Sequence, residues 1–409
     1  MSKVIETVII GGGQAGLAMS YCLKERGHEH IVLEQAAQPG HAWRNGRWDS
    51  FTLVTPNWSV QMPGAGYQGD EPDSFMRRDE VVTYLEEYVE RFKLPVKFQV
   101  RVLEVTAQPE GEGYLVETDA GTYEASNVVV ATSMFQQPKL PSFSARISSN
   151  VVQLHSGQYR NPGALAPGAV LVVGTGQSGA QIAEELYKSG RKVYLCVGSA
   201  GRGPRRYRGK DITDWIRLIS ELSDRTVEDL PSPRAKFAAN PHVSGANGGH
   251  SLNLHQFAKD GVILLGHLRG AREDEITVEP DLKDSLAKVD KFELELIKMV
   301  DSHIEKSHLA APEEELPRLQ DGYEVEVIRE LNLKSAGITT IIWATGYTFD
   351  FSMVKLPIVD EDGYPIQKRG VTEYPGMYFL GLPWLYKQQS GLLSGVGEDA
   401  EFLASVITG

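Results

Sequence analysis

VLVVGTGQSGAQIAEEL, Val170 to Leu186, opens with four apolar residues, passes a glycine-rich turn and enters a helical pattern. TVIIGGGQAGLAMSYCL, Thr7 to Leu23, has the same build at the start of the chain. In such a strand–turn–helix unit each glycine has its own task. Gly11 and Gly174 make the tight turn. Gly13 and Gly176 let the backbone approach a pyrophosphate, and Gly16 and Gly179 let helix and strand pack closely. Gln14, Ala15, Gln177 and Ser178 complete the two turns, where free N–H groups and the positive end of the helix dipole face the phosphates.

The two units differ where nucleotide choice is made. Glu34 lies eighteen residues past Gly16, at the end of the strand HIVLE, with Gln35 after it. A carboxylate there accepts hydrogen bonds from a ribose diol and repels a 2′-phosphate. The helix-ending glycines, Gly27 and Gly190, stand at one offset in both units, so Val197 matches Glu34 and carries no charge. Beyond it runs GSAGRGPRRYRGK, with Ser199, Arg202, Arg205, Arg206, Arg208 and Lys210. That cluster suits a 2′-phosphate, with Arg205 or Arg206 as a planar clamp. The first unit is expected to bind FAD and the second NADPH. Hydride then passes from nicotinamide to flavin.

Bulk properties narrow the setting. The chain has 409 residues and a formal net charge of −13, which disfavours nonspecific binding to nucleic acid or to an anionic membrane. No apolar run reaches the length of a membrane span, and the first strand has no cleavage site for a leader. Cys22 and Cys196 are the two cysteines, and they form no CxxC pair. A disulfide framework and a redox-active dithiol are therefore excluded, and reducing cytoplasm is the expected compartment. In NGGHSLNLHQF, His250, Asn253 and His255 lack a carboxylate or thiolate to complete a ligand set, so no metal is expected.

The intervening chain fits a doubly wound α/β protein. A helix is expected over roughly 79–92, a hairpin over 115–125 turning at DAG, and a separate strand at NVVVAT. Helices are expected over 212–222 and 282–307, with two irregular stretches near 202–209 and 231–249. TTIIWATGY reads as a short buried strand. MYFLG, SGLLSGVGEDA and the terminal helical pattern close the chain.

An ordered set of motifs resembles the flavin-containing monooxygenases, particularly the bacterial and plant branch with indole-pyruvate monooxygenases. The set is GGGQAG, GHAWR, HSGQY (His155–Tyr159), GTGQSG and WATGY. Ser149 and Val151 stand where the family fingerprint has phenylalanine and glycine. Tyr159 replaces the tryptophan of Baeyer–Villiger enzymes. ATSMFQQPKLP resembles a first crossing between domains, with Ser133 in place of glycine, and Thr345, Gly346 and Tyr347 mark a second. The resemblance implies two Rossmann-like dinucleotide-binding domains, the second inserted into the first. The FAD-binding part spans 1–145 and 332–409. The NADPH-binding part spans 146–331, with a partly helical insertion at about 211–331.

It also implies a monooxygenase that uses NADPH and O2 to oxygenate a small molecule through a flavin 4a-hydroperoxide. A reductase or oxidase that passes electrons to a partner or to O2 is the alternative. In this family Trp43 and Arg44 lie along the flavin diphosphate. Asn57 is a candidate hydrogen-bond donor to the peroxide, and His155 sits at the hinge and orients it. Ser394, Gly395, Val396 and Gly397 would place a helix N-terminus at the flavin's pyrimidine edge, with Glu398 and Asp399 capping that helix. The oligomeric state stays open at this point, with a homodimer as one possibility, since dimers are usual among soluble enzymes.

Overall fold

A computed structural model describes residues 2–108 and 113–409. Two parallel-rich sheets carry the chain. In the first, Lys3–Ile10 runs between His30–Glu34 and Gly121–Val130, parallel to both. Val96–Phe98 extends one side, Met377–Phe379 pairs with Gly121–Val130, and Val102–Ala107 with Tyr114–Thr118 adds an antiparallel margin. The hairpin arm and NVVVAT are not separate strands. They form one strand of 10 residues, since no glycine or proline breaks the ladder between Ala125 and Val128.

The second sheet is wholly parallel. Its order is Val152–His155, Ile338–Trp343, Ala169–Val173, Val193–Cys196 and Ile263–Leu265. All five residues of AVLVV are buried, as an uninterrupted apolar strand covered on both faces requires. The placement of Ile338–Trp343 corrects the boundary expected at 332. This strand lies between Val152–His155 and Ala169–Val173 and so belongs to the second sheet. The chain returns to the first sheet only afterwards. In chain order the second sheet is inserted between strands of the first, and two Rossmann-like units result.

Each glycine turn opens a 12-residue helix, Gln14–Glu25 and Gln177–Lys188. Gly27 and Gly190 follow these helices at φ +68° and +87°, the left-handed conformation that lets a helix end sharply. Leu17, Met19 and Leu23 are fully buried beside Leu403 of the terminal helix Val396–Thr408. Ile182, Leu186 and Leu264 do the same for the second sheet. Each such side chain contributes about 1.5–3 kcal/mol by leaving water.

The insertion differs in detail from its sequence reading. Residues 212–222 form two short helices, Ile212–Leu218 and Ser220–Ser223, because Ile219 takes extended angles between them. Leu282–Lys306 is one helix of 25 residues with Leu286, Val289, Leu296, Val300 and Ile304 buried along it. Its acids Asp290, Glu293 and Asp301 face the arginine-rich loop. Among the described residues no helix is long and apolar enough to cross a membrane.

Both passages between the sheets meet in a small antiparallel ribbon, Gln137–Pro138 with Tyr347–Thr348.

Candidate functional site

The two glycine turns have nearly the same geometry. Gly11 and Gly174 hold φ of +109° and +105°. A Cβ at Gly11 would stand 2.6 Å from Ala131 O, and one at Gly174 would stand 2.7 Å from Ala344 O. A Cβ at Gly16 or Gly179 would fall 1.9 Å from the carbonyl oxygen of Gly11 or Gly174. No side chain fits at these places. A Cβ at Gly13 would meet nothing within 4 Å, and one at Gly176 would touch only Ala239 Cβ at 4.0 Å. The middle glycines thus border open space, while the outer two are locked against backbone.

Gln14 and Gln177 occupy one position in the two turns and tie down different segments. Gln14 Nε2 donates to Gly391 O at 2.8 Å, and Gln14 Oε1 accepts from Trp43 Nε1 at 3.2 Å. This draws the C-terminal loop and the tryptophan loop onto the first turn, where Ala15 packs against Gly381. Gln177 Nε2 donates to Pro241 O at 2.8 Å, and Gln177 Oε1 accepts from Val243 N at 3.2 Å. Ser178 is half-buried beside it.

The strand ends differ in charge. Glu34 accepts from Gly12 N at 2.6 Å and Ala36 N at 2.7 Å, so its carboxylate is fixed beside the first turn, with Gln35 exposed next to it. Val197 is buried at the matching place, and Ser199 is exposed two residues on. Arg44 pairs with Glu86 at 2.6 Å, and its Nε is buried without a protein partner among the described residues. Ser394, Gly395, Val396 and Gly397 lead into the terminal helix, and Gln61 N donates to Leu393 O at 3.1 Å. Glu398 and Asp399 do not cap that helix. Glu398 pairs with Arg369 and Lys387, and Asp399 faces Arg369.

Two assignments are corrected. Arg205 is 2% exposed. Its guanidinium pairs with Asp211, donates to Val54 O at 2.7 Å, and stacks over Phe75 at 4.8 Å. It is a buried brace between the units and is not available to clamp a phosphate. Arg206 is exposed and donates to Gly248 O and Gly249 O. Asn57 is the second correction. It is buried, donates from Nδ2 to Glu71 O at 2.9 Å and accepts at Oδ1 from Met76 N at 2.7 Å. Both ends of its amide are tied to the 71–76 loop, where it serves as a structural brace.

His155 is buried at the crossings. Its Nε2 lies 3.0 Å from Gly346 O, and its Nδ1 accepts from Gly157 N at 3.2 Å. A carbonyl only accepts, so this network assigns the neutral tautomer with hydrogen on Nε2. Burial lowers the His155 pKa from its ordinary value, and the Gly346 carbonyl offsets part of that. The ring meets Tyr347 edge to face at 4.6 Å. Thr345 Oγ1 donates to Lys139 O, and Lys139 N donates to Gly346 O at 2.9 Å. His155 therefore grips the second crossing, and the second crossing grips the first.

The two histidines of NGGHSLNLHQF are also engaged. His250 faces Glu184, and His255 lies between Asp290 and Gly322 N. Cys22 and Cys196 are free and buried. Burial raises both thiols, Cys196 to about 12, so neither is a ready nucleophile. Two surface hollows of about 470 and 400 Å3 are lined by Arg269 with Arg329 and by Glu184 with His250. Neither touches a glycine turn.

One residue near the site escaped the sequence reading. Arg47 lies over Phe135, Trp43 and Phe51, at 4.4, 5.2 and 5.5 Å from the ring centres. The signal was an arginine inside the aromatic stretch WRNGRWDSF, which motif comparison passed over.

Comparison with known proteins follows this geometry. The family described as pyridine nucleotide-disulphide oxidoreductase matches residues 8–225. An uncharacterized CzcO-like oxidoreductase from Geobacillus kaustophilus is 34% identical over 100% of this chain and 99% of its own length. The indole-3-pyruvate monooxygenase YUCCA6 of Arabidopsis thaliana is 30% identical over 58% of this chain and 63% of its own. A flavin-containing monooxygenase from Stenotrophomonas maltophilia shares the fold at a TM-score of 0.67 and 22% identity, covering 99% of this chain and 98% of that one. This chain belongs to the pyridine nucleotide-disulphide oxidoreductase family.

Proposed function

We propose that this protein is an NADPH-dependent monooxygenase that holds FAD on the first glycine turn and the nicotinamide cofactor on the second. The observation carrying this reading is the pair of turns, each locked at its outer glycines and open at its middle one. A backbone that excludes its own side chains there leaves room for a dinucleotide phosphate.

Residues 1–145 with the C-terminal segment form the FAD-binding part on this reading, and the second sheet with its insertion forms the NADPH-binding part. FAD fits the first cradle on three counts. Gly13 borders open space, Glu34 is fixed where a ribose diol would lie, and Arg44 Nε is buried and unpartnered. Trp43, held by Gln14, walls the same side. At the helix start Ser394–Gly397, where Gly395 N and Val396 N already donate to Leu392 O, the positive end of the helix dipole would face a ring edge that gains negative charge on reduction. On the second cradle Val197 leaves no carboxylate to repel a 2′-phosphate, and exposed Ser199 and Arg206 are the groups that would meet one.

Bound flavin supplies the chemistry: it takes a hydride from NADPH and activates O2 to oxygenate a small molecule. The protein orients, excludes water and sets the angle between cradles. His155 is a positioning residue at the crossing, neutral and already hydrogen-bonded on both nitrogens.

Rapid mixing of the purified yellow protein with NADPH or NADH, without oxygen, tests the cofactor roles. The expected result is fast bleaching by NADPH and slower bleaching by NADH. Oxygen then follows, and a transient near-ultraviolet absorbance before full reoxidation supports oxygenation. Direct reoxidation without it makes the protein an oxidase or reductase. A protein that carries no flavin overturns the whole reading.

A further inference from the structure

We propose that residues 224–240 form a hinged strap, latched onto the first unit, that must swing off the second glycine turn before a nicotinamide nucleotide can enter. The inference deepens the function proposed above and rests on it.

The strap has no core of its own. It holds two short 3-10 turns, Val227–Asp229 and Pro233–Phe237, and none of its residues is buried. Its flanks are anchored. Trp215 and Ile219 are buried before it, and His242, Val243 and Ser244 are buried after it. A segment without buried apolar side chains, set between two fixed ends, belongs to the part of a fold that opens locally at low cost.

By chain order the strap belongs to the second unit, yet its latch is on the first. Val227 N donates to Tyr386 O at 2.8 Å. Lys236 pairs with Asp360 at 3.1 Å and lies 4.0 Å from the ring centre of Tyr364, a buried member of the cluster on the first sheet. Phe237 meets Tyr364 and Phe349 at 5.9 and 6.2 Å but stays 40% exposed. Gln388 Nε2 donates to Asn240 Oδ1 at 2.6 Å. Ion pairs open to solvent and half-exposed rings are weak contacts, so this latch is releasable.

The strap meets the second turn at Ala239. Its Cβ is the one atom within 4.0 Å of a Cβ placed on Gly176, the glycine whose bareness lets a phosphate approach. Gly13, the counterpart in the first turn, has no such neighbour. Gln177 Nε2 holds Pro241 O at 2.8 Å, which sets the hinge beside the turn. A strap closed in this way lowers apparent affinity by the fraction of molecules that are closed, so weakening the latch tightens binding. A strap that only braces the fold, or one that folds over bound nucleotide, lacks that sign.

Asn240→Cys together with Gln388→Cys lets a short bis-thiosulfonate lock the strap, while buried Cys22 and Cys196 stay out of the reaction. Flavin-loaded protein is titrated with NADP+ by calorimetry before and after locking. The locked protein should keep its flavin absorbance and bind NADP+ at least about tenfold more weakly, with affinity restored by dithiothreitol. Phe237→Ala, at a half-exposed position, should bind NADP+ about threefold more tightly than the parent, which keeps the test open if the cysteine pair fails to fold. Trypsin cleavage after Lys236 should quicken when NADP+ is added. Locked protein that binds NADP+ as the parent does, Phe237→Ala that binds it no more tightly, or NADP+ that slows cleavage after Lys236 would overturn the proposal. A parent protein that binds no NADP+ would instead refute the function on which it rests.

Discussion

Gln14 and Gln177 stand at the same step of two copies of one turn, yet they hold different things. The first draws the C-terminal loop and Trp43 around its turn; the second draws Pro241 and Val243 of the insertion around its own. The backbone device is repeated almost without change, and everything that selects a ligand is not. At the first turn a carboxylate sits at the strand end, locked by two N–H groups. At the second the strand ends in buried Val197, and the nearby arginines are largely consumed. Arg202 is held by Asp290 and Glu293, Arg205 by Asp211, and Arg208 by Asp301. A cluster of cations in sequence is not a cluster of free charges in space. Three of the acids that neutralise it, Asp290, Glu293 and Asp301, arrive on a helix some ninety residues later.

The comparison is broken most forcefully at the outer glycines. Gly16→Ala places a methyl 1.9 Å from Gly11 O and Gly179→Ala does the same at Gly174 O. Each is expected to cost more than about 4 kcal/mol locally. Gly16→Ala should yield protein without flavin, while Gly179→Ala should keep flavin and lose the nicotinamide cofactor, read by absorbance and by NADP+ titration. Equal loss of flavin in both would end the division of labour. Gly13→Ala, with open space around it, should leave the melting temperature unchanged and weaken flavin binding alone.

Arg205→Ala comes next. It strands Asp211 in a buried site, and removing one member of a buried pair typically costs about 3–5 kcal/mol. Denaturant unfolding should show that loss. The ratio of kcat/KM for NADPH over NADH should not move, and a large fall in it would restore Arg205 as a clamp.

Acid should act on the second unit more than the first. His242 is fully buried behind the second turn, its N–H bonded to Gly201 O at 2.8 Å. Its ring nitrogens have no well-formed partner, and weak approaches from the Thr175 and Leu252 backbone offset little. Burial, with Arg202 nearby, pushes its pKa down to about 4 from 6.5. The unfolded chain thus binds the proton more readily than the native one. Stability attributable to this group is intact above pH 6.5 and falls as the pH drops toward 4, by about 3 kcal/mol in all. Unfolding of His242→Gln should show a shallower acid slope over that window than the parent does.

The smallest effect belongs to Ser199→Glu. A carboxylate restored near the second strand end should lower the preference for NADPH over NADH by about tenfold, or roughly 1.4 kcal/mol. No change would move the phosphate site elsewhere.

Much of this was legible in the amino-acid sequence. Apolar runs before each turn, glycines fixed by local backbone sterics and the helix-ending Gly27 and Gly190 all obey rules that act within a few residues. Long-range pairings were not legible. Ile338–Trp343 reads as a strand, but its sheet is decided by partners more than a hundred and sixty residues earlier. Arg205 finds Val54 across the fold, and no count of local charge reveals that. Asn57 is both a turn former and a polar donor, and only the position of Glu71 and Met76 chose between them. Arg47 was visible as a residue but not as one stacked on Phe135, which the fold brings to it from a distant stretch of chain.

The ribbon of Gln137–Pro138 with Tyr347–Thr348 carries a last consequence. Because the outgoing and returning polypeptides are bonded to each other midway, any rocking of one nucleotide cradle against the other turns on a shared axle. The His155 imidazole clamped to that axle couples the pitch of both glycine-turn units to a single contact.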